Sequence, residues 1–212
     1  MSKLVYLALG ALVSIGIVSC DENAQLASKI EGVWSGNATV LSKKDGNKEK
    51  QDNTAKPMEA KINSITPSFT FTPDPSVKNG GKLTYSGVYS VSQPVSSQSV
   101  DVPFEATADV KVTGKGTWTA KDDDEIIVMI DASTVSTTVD TASVTLGYAV
   151  LTDKPVTELE ALKEQILPNI NSSFSAEVQK RVTSIHKLDD IKIKGSEMTL
   201  EIGKTDFTFN KQ

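Results

Sequence analysis

The chain has one cysteine, one histidine and one arginine among its 212 residues, and only 6% of it is aromatic. A single cysteine excludes an intramolecular disulfide framework and any zinc site built from several thiolates. The lone histidine, His186, has Ser184 two positions before it and Asp189 three after. Proximity in sequence is not a triad, because the nucleophile needs its own elbow or base geometry, and no G-x-S-x-G segment exists. Phosphate-cradling and dinucleotide-binding glycine loops are also missing. With 22 basic against 27 acidic residues the net charge is −5, the wrong sign for a phosphate backbone, so no nucleic-acid partner is expected. The carboxylate runs Asp122-Asp123-Asp124-Glu125 and Asp189-Asp190 lack the spacing of a calcium loop and read as solvated turns. The expectation is a protein with no catalytic residues, no metal and no cofactor.

What the chain does have begins at its start. After Lys3, residues Leu4 to Val18 form an almost unbroken apolar run. Fifteen residues are too few to span about 30 Å of hydrocarbon, which takes about 20, but they fit the core of a secretory signal. The run ends in Ile17-Val18-Ser19-Cys20, placing the only thiol directly after a small residue. That pattern resembles the lipobox of bacterial lipoproteins. The resemblance implies a diglyceride on Cys20, cleavage before it and acylation of the new amine, with palmitate among the chains. The membrane is then a partner through lipid alone, since two or three acyl chains hold where one does not. Residues 1–19 read as the signal peptide, 20–29 as a lipidated polar tether and 30–212 as one domain. Asp21-Glu22 resembles both an inner-membrane retention signal and an acidic surface-export signal of lipoproteins. The expected address is the cell envelope, at the outer membrane.

The remainder reads as β-structure. Every even position from Val100 to Val112 is apolar: Val100, Val102, Phe104, Ala106, Ala108, Val110 and Val112. Such alternation puts one face in a core and the other in water, as in antiparallel sheets. Leu83, Tyr85, Tyr89 and Val91 share a face in the same way. Pro103 suggests an edge or bulge, since it cannot donate to a ladder. Ser42 to Lys56 is wholly polar and reads as an exposed loop or flap. Helix enters late, with Thr157-x-x-Glu160 as a capping box and Pro168 ending or kinking the first helical stretch. Three closing strands are expected at Ile191–Lys194, Met198–Ile202 and Phe207–Phe209. The total is about eleven short strands around one interrupted helical segment, with no internal repeat beyond an echo of Gly-Val-Trp in Gly-Thr-Trp.

Gly32-x-Trp34 on the first strand, with Gly116-x-Trp118 later, resembles the signature of lipocalin-like (calycin) barrels. The fold expectation is therefore mainly β: an antiparallel lipocalin-like barrel with a helical segment before three final strands, the alternative being a β-sandwich. Lipocalins pack an arginine from a late strand against the first tryptophan, whereas here the only arginine is Arg181, within the helical segment. The resemblance implies a cavity for a small apolar molecule. Alternation nominates Tyr85, Tyr89, Phe104, Ala106, Ala108 and Val110 as its lining, the two alanines leaving room. The competing reading is that these side chains fill a solid core, as in small barrels. Two functions follow: a membrane-anchored binder of a small apolar ligand, or an envelope interaction module with no pocket. Asp140-Thr141-Ala142 also resembles a short bacterial O-glycosylation motif.

Overall fold

The computed structural model describes residues 22–41, 59–97, 100–150, 152, 155 and 157–212. Cys20 and the Ser42–Lys56 flap lie outside the described residues. Among the described residues eleven strands run in chain order: β1 (Gly32–Gly36), β2 (Thr39–Val40), β3 (Lys61–Pro73), β4 (Gly80–Ser97), β5 (Val100–Ala120), β6 (Ile126–Ile130), β7 (Ser136–Val139), β8 (Thr145–Tyr148), β9 (Lys187–Lys194), β10 (Glu197–Ile202) and β11 (Thr205–Lys211). Every pairing is antiparallel. The order β1-β11-β10-β9-β6-β5-β4-β3 closes because β3 also pairs with β1, giving a ring of eight strands. Closure removes the edges that an open sheet of this length would present.

Eleven strands match the expected number, but several are longer than the punctuation of the sequence suggests. Residues 100–112 and 114–118 fuse into the single 21-residue strand β5. Pro103 does not break it; its carbonyl still accepts from Ala149 N–H at 2.9 Å. β4 and β5 pair along almost their whole length, Gly80↔Thr119 to Val95↔Phe104. Only Gly116–Ala120 of β5 meets β6, so the other end of this hairpin extends past the ring as a wing.

A broken strand lines that wing. β8 pairs with Phe104–Thr107 and β7 with Val110–Thr113, and a 3-10 turn precedes each of them, Ala132–Thr134 and Thr141–Ser143. The two turns are copies. Asp131 N–H donates to Lys115 O (2.8 Å), Lys115 N–H donates to Thr134 Oγ1 (2.8 Å), and that hydroxyl donates to Asp131 O (2.7 Å). Nine residues on, Asp140 N–H donates to Asp109 O (2.8 Å), Asp109 N–H to Ser143 Oγ (2.8 Å), and Ser143 Oγ to Asp140 O (2.7 Å). The aspartate carboxylates accept from Ser133 N–H and Ala142 N–H respectively. Each step uses nine residues of the broken strand against six of β5. It would recur at Pro103, but proline has no N–H to give, and the series stops there. The repeat Ile130-Asp131…Val135-Ser136 and Val139-Asp140…Val144-Thr145 thus exists, contrary to the reading of the sequence. The Asp140-Thr141-Ala142 triplet forms the second of these turns.

Three α-helices lie among the described residues: α1 (Glu22–Ile30), α2 (Thr157–Glu160) and α3 (Lys163–Thr183). Where a polar tether is expected, α1 forms instead. Leu26 and Ile30, four apart and hence on one face, are buried at one end of the barrel. Its last carbonyls are capped from the barrel: Trp34 Nε1 donates to Ile30 O at 2.7 Å and Lys211 Nζ to Lys29 O at 3.4 Å. α3 runs through Pro168 rather than ending there. It packs its buried face, Ile170, Phe174, Val178 and Val182, across β4, β5 and β7.

Candidate functional site

The interior begins with the two tryptophans. Trp34 and Trp118 are both buried, and between them runs an aromatic column. Phe69 lies 5.1 Å from Tyr85, 5.6 Å from Phe209 and 5.8 Å from Phe71 between ring centroids. Phe71 meets Trp118 edge to face at 5.6 Å. Edge-to-face and offset rings at these spacings are favourable contacts, and they link Tyr85 and Phe209 through Phe69 and Phe71 to Trp118. Gly32 opens β1 at φ 112°. Gly116 is needed for closure: a Cβ there would strike the backbone of Met129 on β6.

All six residues nominated for a ligand pocket share the inward face of the β4–β5 hairpin, with Tyr89 opposite Val110 and Val91 opposite Ala108. Each is at most 1% exposed. Phe104, Ala106, Ala108 and Val110 lie on the wing, under α3, where Ser173 Oγ bonds Gln93 Oε1 at 2.6 Å and Gln93 pairs with Ala106. Tyr85 and Tyr89 place their hydroxyls 2.6 Å apart. Burial pushes both phenols up, Tyr89 to about 12 and Tyr85 well above the ordinary 10. The Arg181 guanidinium on α3 acts weakly in the opposite direction.

The acidic turn is internally neutralised in part. Glu125 bonds Lys121 at 2.9 Å and Lys187 at 3.1 Å, and Lys187 also reaches Asp189 at 2.6 Å. Desolvation and the charges of Asp123 and Asp190 raise the Asp124 carboxyl above its ordinary value. Among the described residues no group of acidic, histidine or cysteine side chains has the geometry to hold a metal. His186 is exposed, and Ser184 Oγ donates to Arg181 O at 2.7 Å. No triad forms there.

Concavities lie on the surface. One, of about 300 Å³, sits between α1 and β9, around Leu26, Ile191 and Ile193, with Glu22 and Asp123 on its rim. A second, of about 360 Å³, sits between the other flank of α1 and the β3–β4 turn, floored by Trp118. A third, of about 180 Å³, separates the wing from α3 near Pro94 and Ile166. Two buried side-chain polar atoms among the described residues have no hydrogen-bond partner, Trp118 Nε1 and Asn171 Oδ1. Neither the tyrosine pair nor these orphans was visible in the sequence, because alternation assigns a face and not a distance. Among the described residues no helix is long and apolar enough to cross a membrane. Comparison with protein-family models, with curated proteins and with solved structures finds no match to this chain.

Proposed function

We propose that this chain is a lipid-anchored protein of the bacterial cell envelope whose barrel is a filled scaffold and whose binding takes place on its outer surface. The observation that carries this reading is the aromatic column, together with the burial of Tyr85, Tyr89, Phe104, Ala106, Ala108 and Val110 against one another and α3. A small apolar molecule within the barrel would have to displace side chains that already fill it. The anchor is supported by Cys20 at the end of the apolar run and by α1, which starts two residues later and is docked on the barrel. Lipid on Cys20 would thus hold the α1 end toward the bilayer with almost no linker. A lipocalin-like ancestry is supported by the closed antiparallel ring and by Lys211 of the last strand, which stands 5.2 Å over the Trp34 ring where lipocalins place an arginine. The wing and the helix across it depart from that pattern.

Two measurements test the reading. Cys20→Ala should abolish palmitate labelling and release the protein from the membrane fraction; a mutant that stays membrane-bound would refute the anchor. Native mass spectrometry of the protein should show no lipid held beyond those on Cys20. A stoichiometric apolar ligand that shifts the aromatic NMR signals of Tyr85 and Tyr89 would overturn the filled scaffold.

A further inference from the structure

One stripe of α1 faces the concavity beside β9. Glu22, Gln25, Leu26 and Lys29 stand three or four residues apart, so they share a helix face. All four line the concavity of about 300 Å³, together with Asp123, Ile191 and Ile193. Its floor is apolar, with Leu26 and Ile191 each 4% exposed. Its rim is charged, two carboxylates against one ammonium. Charges close by neutralise one another, as Glu125 does with Lys121 and Lys187. In contrast, the side chains of Glu22, Gln25, Lys29 and Asp123 form no hydrogen bond or ion pair with any described residue. The wider field is negative: desolvation, then the charges of Asp123, Asp190, Asp189 and Asp122, raise the Asp124 carboxyl above its ordinary value.

We infer that this concavity takes the headgroup of a neighbouring membrane phospholipid that carries a primary ammonium beside its phosphate, as phosphatidylethanolamine does. The ammonium donates to the Glu22 and Asp123 carboxylates, and Gln25 and Lys29 supply N–H donors to the phosphate oxygens. The carbons that join the two groups lie over Leu26, Ile191 and Ile193. This rests on the reading that Cys20 is lipidated, and it names what the anchored end touches. Position favours a lipid over a soluble amine. Glu22 follows Cys20 by two residues, which span at most about 7 Å, and the headgroup layer is about 5–8 Å deep on each side of a bilayer. Lipid on Cys20 therefore holds the Glu22 end within that layer, where the local concentration of headgroups is high. Anionic headgroups are drawn to basic clusters, whereas carboxylates predominate here. A quaternary ammonium has no N–H to give them.

The test uses the full lipidated protein in phosphatidylcholine nanodiscs, with isoleucine methyl groups labelled with carbon-13. Replacing part of the lipid by phosphatidylethanolamine should shift the Ile191 and Ile193 signals until they saturate. The same fraction of phosphatidylglycerol should leave them in place, as should glycerophosphoethanolamine in solution at the same total concentration. Asp123→Asn should raise the half-saturating lipid fraction about tenfold, as the loss of one charge-assisted hydrogen bond dictates. Asp122→Asn removes the same charge outside the concavity and should leave that fraction unchanged. Stationary signals, an equal response to phosphatidylglycerol or to the soluble headgroup, or equal effects of the two substitutions would each overturn the inference. Protein that does not enter the nanodiscs refutes the Cys20 anchor and the headgroup site with it. Protein that enters without responding refutes the headgroup site alone.

Discussion

The hydroxyls of Tyr85 and Tyr89 meet at 2.6 Å although the two residues sit four apart on one strand. Four strand residues span about 13 Å, so both side chains must lean along the strand toward each other. The pair is buried, and desolvation holds both phenols above the ordinary 10, Tyr89 at about 12. A phenol held neutral by folding contributes stability that is fully present below its unfolded value near 10 and is lost as pH rises through the folded value. Stability should therefore fall between about pH 10 and 12. Phenolate absorbance should show that Tyr85 and Tyr89 ionise only as the protein unfolds. Tyr85→Phe should cost about 1–3 kcal/mol by leaving the Tyr89 hydroxyl unpaired, and adding Tyr89→Phe should recover part of it. Urea unfolding of the singles and the double checks this; a double mutant with the summed cost would refute it.

Gly87 is the saddle over which the two rings lean. A Cβ at this position would lie 3.1 Å from Tyr85 Oη, 3.3 Å from Tyr89 Cε2 and 3.3 Å from Thr66 O. Those contacts are tighter than ordinary packing, and Tyr85 and Tyr89 around them are buried. Gly87→Ala should destabilise by about 1–3 kcal/mol, the usual range for overpacking. It should also bring phenol ionisation closer to pH 10, because a separated pair is more easily hydrated. An alanine variant with the parental alkaline profile would show that the rings do not depend on the gap.

Lys211 serves two elements at once. Its ammonium stands 5.2 Å over the Trp34 ring and also donates to Lys29 O at the end of α1. Lys211→Met keeps the apolar stem and removes both interactions, so it should cost about 0.5–1 kcal/mol, the value of a cation over an aromatic face at an exposed site. Lys211→Arg should retain the stability. Amide exchange of residues 26–30 gives the sharper reading: the methionine variant should lose protection in α1 before the barrel does. Equal protection in all three proteins would show that α1 does not depend on this contact.

How much of this was legible follows from which interactions are local. The alternation from Val100 to Val112 fixes a face, and that face is buried from Phe104 to Val112, with Val102 half-buried. It does not reveal what covers the face, and α3 packs against β4 and β5 there. The helix α1 escapes notice because ENAQLASKI buries only Leu26 and Ile30, and its caps come from Trp34 and from Lys211, far away in sequence. Conversely, the Gly-x-Trp pairs are legible because Gly116 answers a steric demand that no other residue meets. The nine-residue repeat hides in substitutions of like chemistry, Thr134 for Ser143 and Ile130 for Val139. What repeats is a hydroxyl at the fourth position, and only the β5 backbone shows what it does.

That hydroxyl gives the last prediction. Thr134 and Ser143 each accept from a β5 N–H, Lys115 and Asp109, and return a bond to their own aspartate carbonyl. Thr134→Val and Ser143→Ala should each cost about 0.5–1.5 kcal/mol per hydrogen bond lost. The two sites are six β5 residues apart, about 20 Å, so the double mutant should show the sum of the single costs. Acid should weaken the same turns. The Ser133 hydroxyl and N–H hold the Asp131 carboxyl below its ordinary 3.8, and Lys111 with the Ala142 N–H does so for Asp140. A lowered carboxylate contributes stability that is present above its unfolded value, near 3.9, and lost as pH falls through the folded value. Carboxyl carbon titration by NMR should place Asp131 and Asp140 below the ordinary carboxylate value, and Thr138 and Thr145 should lose amide protection as they protonate. A coupling between the two hydroxyl mutants, or ordinary titration of both aspartates, would mean that the two turns do not act as independent hooks on β5.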